Sequence, residues 1–312
     1  MEEHKYLIDT SSFNIVKHIK ALEYNEIYLA HEDKDHKDYI VDTHFLSLDR
    51  KDEKHLIHSI NKLHNHPHPT FIDIAGYSKQ CFGVRHTDKC TSLIFDSNLT
   101  IPLLDIFQDS RKGIEYINFD ITTRFIILTG VACGMMHFYK HEIGLHGLHP
   151  SNIFLDEKLQ PKILLEFNLP YKSIEQHPEM PYPPIEELIY WPLLDLNDKG
   201  YVAAEKLDVY SFGMIAYETI TEIAPFSIGN PQVRRATDII KRMTRGDIPE
   251  FYKPTSPSLK SMIRSCWSRN PDDRPTFEKI FDFLAYNMDK AELLEDFDYY
   301  KFNSYVKSIS MN

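Results

Sequence analysis

The sequence predicts an α+β protein in two lobes, a small strand-rich one followed by a larger helical one. Short β-like runs crowd the stretch from Phe13 to about Ile101, and the texture turns helical from Pro102 onward. The 312 residues suffice for one large two-lobed domain.

In the front part, Glu26 to Ala30 and Asp38 to Asp42 read as strands, with the polar run His31 to Lys37 turning between them. Leu56, Ile60 and Leu63 recur at i, i+4 and i+7, one face of a helix, and the His66-Pro-His-Pro run ends it. Phe71 to Gly76, Gly83 to Arg85 and Ser92 to Phe95 are further strand candidates. In the back part, Ile121 to His141 is a long apolar-periodic helix, and Leu207 to Ile223 is apolar nearly all round, as a buried central helix should be. Phe277, Ile280, Phe281 and Leu284 form a stripe after Arg274-Pro275, and the proline suits a first helical turn. The acidic, aromatic stretch from Asp289 to Asn312 is expected to pack back as a helix rather than to serve as a partner-binding segment.

Composition narrows the function classes. The net charge of −11 argues against a general nucleic-acid binder, which needs clustered Lys and Arg, and gives no reason to expect docking on anionic membranes. No run approaches 18 apolar residues, so no membrane span is expected, and the charged start Met1 to Ser12 is not expected to be a signal peptide. The four cysteines Cys81, Cys90, Cys133 and Cys266 suit neither a zinc site nor a disulfide framework, and reduced thiols in a soluble cytoplasmic protein are the expectation.

Three stretches then stand out. One runs from Ala132 through His146-Gly-Leu-His-Pro-Ser-Asn152 to Leu155. Another is Leu207-Asp-Val-Tyr-Ser-Phe-Gly213-Met-Ile-Ala-Tyr-Glu218, and the last is Cys266-Trp267 with Arg274-Pro275 eight residues past the cysteine. In this order they resemble the landmarks of a protein-kinase large lobe, in wording closest to the tyrosine-kinase-like branch. A weaker likeness covers the front. Ile19 to Ala30 is similar to the phosphate-loop hairpin, Tyr39 to Asp42 to the strand ending in the nucleotide lysine, and His68 to Gly76 to the strand after the small-lobe helix. The resemblance implies a kinase-like domain over 13–285, with lobes of about 13–101 and 102–285, and a tail over 286–312.

Phosphoryl transfer is mostly positioning and charge neutralisation around a triphosphate, and the resemblance locates each part. The three phosphate-loop glycine places hold Lys20, Leu22 and Asn25, whose side chains obstruct close backbone approach to phosphates. The lysine place holds Asp42, an anion facing phosphates, and the window Lys54 to Ile60 lacks the helix glutamate. Lys34, Lys37 or Lys51 could substitute in principle, but nothing favours them. The catalytic-base Asp falls on Gly147, which has no side chain. Asn152 matches the catalytic-loop Asn. The magnesium Asp falls on Leu165, or on Glu166 if one residue is inserted.

Asn152 and Glu166 are thus the weak candidates for holding nucleotide or magnesium, and no cofactor or metal is expected. The architectural landmarks persist: Asp208 should bond the catalytic-loop backbone, Trp267 should keep its place, and Arg274 needs an acid, for which Asp195 and Glu187 are candidates. His64, His66 and His68 share one side of an extended segment, but two of them flank prolines, so they are not expected to bind metal.

The resulting expectation is a pseudokinase, a binding, scaffold or regulatory module in signalling with protein partners. The alternative is a divergent ATP-dependent Ser/Thr or Tyr protein kinase using His146 or His149 with Glu166 and Asn152.

Overall fold

The structure is a computed structural model that describes residues 5–21, 25–45, 47–82, 90–97, 101–114, 116, 118–143, 147–165, 203–226, 236–288 and 296–310. Two compact units emerge: the described residues of 5–67 and 71–97 form one, and those of 68–70 and 101–310 form the other.

Among the described residues the first unit is a five-stranded antiparallel sheet with one helix. Strands β1 (Phe13–Ala21), β2 (Asn25–Glu32), β3 (Lys37–His44), β4 (Ile74–Ser78) and β5 (Thr91–Asp96) lie in the order β1-β2-β3-β5-β4. The β2–β3 pair keeps an unbroken register, with Ile27 opposite Asp42 and Asn25 opposite His44. Cross-strand partners share a face, so Asn25, Asp42 and His44 lie on one side of the sheet. On the other side Phe13, Tyr28, Ala30, Tyr39, Val41, Phe82 and Ile94 close a small apolar core. Helix α1 (Arg50–Asn65) starts where the Asp49 carboxylate accepts from the amides of Lys51 and Asp52 at 2.7 and 2.9 Å. It buries Leu56, Ile57, Ile60 and Leu63, the face that the spacing predicts. Residues Tyr6 to Ile8 lie parallel to β4, with Tyr77 N donating to Tyr6 O and Ile8 N donating to Tyr77 O, both at 2.8 Å.

The second unit holds a three-stranded sheet, β6 (Ile101–Pro102), β7 (Ile153–Leu155) and β8 (Pro161–Ile163), and the helices. These are α2 (Leu103–Arg111), α3 (Ile121–Lys140), α4 (Ala204–Thr221), α5 (Ala236–Thr244), α6 (Pro257–Cys266), α7 (Phe277–Asp282) and α8 (Tyr299–Ser310). Helices α3 and α4 are buried on nearly every face, because their sequences are apolar nearly all round. By length and composition α3 could cross a membrane, contrary to the expectation from uninterrupted apolar runs, yet 78% of its most apolar window is buried within the protein. That burial is the pattern of a core helix.

The α8 segment packs on α3 and buries Phe302, Tyr305, Val306 and Ile309, while Phe297 meets Phe125 edge-on at 5.7 Å. Gly130 permits this contact, since a Cβ there would run into the Tyr305 hydroxyl. Pro275 lies before the cap of α7, Thr276, rather than in its first turn, because the Thr276 hydroxyl caps the helix by accepting from the amide of Lys279.

The cysteine expectation is corrected in part. Cys81 and Cys90 form a disulfide with their Cα atoms 5.2 Å apart, bracketing the β4–β5 connection. Cys133 and Cys266 are free and buried, and burial pushes each thiol up to about 12. Both therefore stay protonated and inert.

The histidine trio is dispersed rather than convergent. His64 Nε2 lies 2.9 Å from the Ile74 carbonyl, and His68 Nδ1 lies 2.7 Å from Thr70 Oγ1. Among the described residues no group of His, Cys, Asp and Glu is placed to hold a metal ion.

His68 gives the fold a pH dependence. Its ring is buried against His137 and beside Cys133, with Lys162 nearby, and burial first and His137 second lower its pKa from 6.5 to about 4. Between those values the unfolded chain binds a proton that the folded one refuses, so stability rises with pH across the window. Acidification from pH 6.5 to 4 should remove about 3 kcal/mol through this group. Urea titrations of the parent and of His68→Asn across that range test this. The parent should show the steeper pH slope, and parallel slopes would refute it.

Candidate functional site

In the first unit the sheet brings together the residues at two of the family's phosphate-handling places. Asp42 is 0% exposed. One of its carboxylate oxygens accepts from Asn25 Nδ2 at 2.6 Å, and the other lies 2.9 Å from His44 Nε2. Strand periodicity explains the cluster: His44 is two residues beyond Asp42 on the same face, and register places Asn25 opposite His44. Asp42, at the lysine place, and Asn25, at the third glycine place, therefore satisfy each other. The backbone of Lys20 pairs with Ile27, and Leu22 lies outside the described residues.

The α1 glutamate nearest the window read from the sequence is Glu53, on the first turn. Its carboxylate accepts from Tyr77 Oη at 2.6 Å and pairs with Lys79 Nζ at 2.7 Å, so it faces β4 rather than β3. Of the substitute lysines, Lys37 pairs with Asp96 at 2.7 Å, and that hydrogen bond raises its pKa. Lys34 and Lys51 are exposed.

In the second unit a loop between α3 and β7 is built around one carboxylate. Asp208 on α4 is 1% exposed. Its Oδ1 accepts from the amides of Gly147 and Leu148 at 3.1 and 2.8 Å, and its Oδ2 accepts from Tyr139 Oη at 2.5 Å. Burial first, then the charge of Asp208, hold the Tyr139 hydroxyl far above its ordinary pKa, so it remains a donor. Tyr139 is the member of this cluster that the sequence reading missed. Its place as the next-to-last residue of α3 was the available signal.

Asn152 closes the same loop. Its Oδ1 accepts from His149 N, and its Nδ2 donates to Gly147 O, both at 3.0 Å. Gly147 has φ near +100°, a conformation that side-chain-bearing residues rarely adopt. An aspartate placed there would carry backbone strain of about 1–3 kcal/mol. His149 Nδ1 lies 2.7 Å from Ser151 Oγ, inside the loop. Leu165 follows β8 and is buried, and Leu164 N donates to Asn152 O at 2.7 Å. His146 and Glu166 lie outside the described residues.

The architectural landmarks are held by packing. Trp267 lies against Gly213 and within 6.0 Å of the Tyr217 ring, measured between centroids. Arg274 is 3% exposed, donates to the carbonyls of Ser268 at 3.1 Å and Lys206 at 2.9 Å, and lies over the Tyr210 ring. The proposed acids Glu187 and Asp195 are outside the described residues. Two hollows of about 760 and 740 Å³ in this unit are lined by α8 and Lys158 and by Arg124 and Glu222, not by the Gly147 loop.

The family model of the protein kinase domain matches residues 13–283. The chain belongs to the protein kinase domain family. Its β-rich unit and helical unit are the two lobes of that fold. This protein kinase domain is 28% identical over 54% of its length to atrial natriuretic peptide receptor 2 of Anguilla japonica, covering 17% of that receptor. It is 26% identical over 66% of its length to a probable serine/threonine-protein kinase of Dictyostelium discoideum, covering 15% of it. To human mitogen-activated protein kinase kinase kinase 7 it is 35% identical over 29% of its length, covering 14% of that protein. The matched stretches make up between 10% and 21% of the length of such relatives.

Proposed function

We propose that this protein kinase domain is a pseudokinase, a module that acts by binding protein partners rather than by transferring phosphate. The observation that carries the reading is the buried Asp42 carboxylate, held by Asn25 and His44 where the family pattern puts a lysine. At ~4 Å and an effective dielectric of ~20, a unit charge pair is worth about 4 kcal/mol. Exchanging an ammonium for a carboxylate turns that attraction into repulsion, a swing of roughly twice the figure.

The large lobe supports the same reading. Gly147 offers no base, and both ends of the Asn152 amide are spent on the loop backbone. These donor sets do not fit magnesium nucleotide, and no reaction step is assigned to it. The loop survives as architecture because Asp208 still organises it. Protein partners, with no role for nucleic acid or membrane, and a cytoplasmic setting complete the proposal, in keeping with the net charge of −11.

The test is a phosphotransfer assay with γ-labelled ATP and Mg²⁺, using the chain itself and a generic basic protein as acceptors. No label above that of an ATP-free blank is expected. Incorporation that scales with the chain and vanishes in Asn152→Ala would overturn the proposal, whereas label unaffected by that change would trace to a contaminating kinase.

A further inference from the structure

Residues Tyr6 to Thr10 form a strap across the open edge of β4, and its fastenings are unevenly distributed. At its start, Tyr6 Oη donates to Asn61 Oδ1 on α1 at 2.6 Å, and the Tyr6 ring lies 5.2 Å from the His64 ring. Gly76 lets the strap approach, because a Cβ there would collide with Tyr6 O. At its end, the fastenings go to the last residue of β4 and the turn that follows. Thr10 N and Thr10 Oγ1 both donate to Gln80 Oε1, at 3.1 and 2.6 Å, and Thr10 Oγ1 lies 3.3 Å from Ser78 Oγ.

Gln80 is exposed, so its position depends on its neighbours in the chain. Ser92 Oγ donates to its carbonyl at 2.9 Å, and the next residue is Cys81, bonded to Cys90 beside β5. Phe82 follows and enters the apolar core, edge-on to Phe13 at 5.9 Å. The disulfide therefore ties the residue that holds the strap to the strand beneath it.

The two sulfurs also differ in access. Cys81 is exposed, whereas Cys90 is only 3% exposed. A disulfide with one open sulfur can be attacked there by a small thiolate.

We propose that Cys81–Cys90 is a reversible redox clasp, exchanged with glutathione, that sets whether the strap stays on β4. A glutathione thiolate attacks Cys81 Sγ, forming a mixed disulfide and breaking the bond to Cys90, whose thiolate takes a proton. A second glutathione thiolate attacks the glutathione sulfur of that mixed disulfide. It releases the Cys81 thiolate and one molecule of oxidised glutathione. Two thiols are oxidised and one protein disulfide is reduced, and excess oxidised glutathione runs the sequence backwards. With the clasp open, Gln80 is freed and the strap lifts from the edge of β4.

The experiment is hydrogen exchange at the amides of Ile8, Thr10 and Tyr77, with the whole chain equilibrated in oxidised or in reduced glutathione. Exchange about tenfold faster in the reduced protein is expected at these amides. The buried thiols of Cys133 and Cys266 should resist alkylation in both states, which reports that the fold is intact. Oxidised glutathione should then load Cys90→Ser at Cys81 but leave Cys81→Ser unmodified. Unchanged exchange between the two states would overturn the proposal. So would full alkylation of Cys81 and Cys90 after oxidation, or equal loading of the two variants.

Discussion

Deleting residues 296–312 is expected to destroy the folded state of the helical lobe. The segment buries Phe297, Phe302, Tyr305, Val306 and Ile309, with Phe302 at 0% exposure. At about 1.5–3 kcal/mol for each buried side chain, the gross contribution is roughly 10 kcal/mol, comparable with the whole stability of a typical domain. Polar contacts fix the approach: Asp298 N donates to Thr122 Oγ1 at 2.8 Å, and Lys301 Nζ donates to Thr123 Oγ1 at 3.0 Å. The truncated chain should be insoluble or lack a cooperative melt. Phe302→Ala is the graded version, with an expected loss of about 3–5 kcal/mol and a Tm lower by roughly 10 °C. A truncated chain that melts like the parent would show that α8 is an appendage, and the packing described for α3 would then be wrong.

Asp208→Ala should be nearly as damaging, for a different reason. It leaves the buried amide of Leu148, the amide of Gly147 and the Tyr139 hydroxyl without their acceptor. Hydrogen bonds to a charged group contribute about 1.5–3 kcal/mol each, so a loss of roughly 5 kcal/mol is expected from the three. Asp208→Asn retains one carbonyl acceptor and should lose about half as much. Denaturant midpoints measure both. A loss below ~1 kcal/mol for the alanine variant would mean that the loop does not depend on this carboxylate.

The large lobe was the more legible half of the sequence, and the reason is physical. Asp208, Asn152, Trp267 and Arg274 each serve contacts inside one unit, so their motifs persist as long as the fold does. The small-lobe cluster was only half legible. Asp42 could be recognised as an anion in a cation's place, but its partners depend on the β2–β3 register, which no local motif states. His44, two residues on in a strand, was the available hint, since period two puts both on one face.

Other features escaped for similar reasons. The Cys81–Cys90 pair spans 9 residues without a motif, and only the β4–β5 pairing brings the two together. The apolar count along α3 was broken by single polar residues, which hid how apolar the helix is as a whole. Carbonyls and the Tyr210 ring are among the contacts of Arg274, and the acids expected for it, Glu187 and Asp195, lie outside the described residues.

On the proposed function, the small lobe's phosphate place holds its own carboxylate, Asp42, rather than a nucleotide. The most direct measurement is the melting temperature of the purified chain titrated with ATP to millimolar concentration, with and without Mg²⁺. A ligand present at ~100 Kd stabilises by about 2.7 kcal/mol, worth roughly 8 °C for a domain of this size. No shift is expected in either series. A magnesium-dependent rise of several degrees would contradict the proposal, because nucleotide would then be binding despite Asp42.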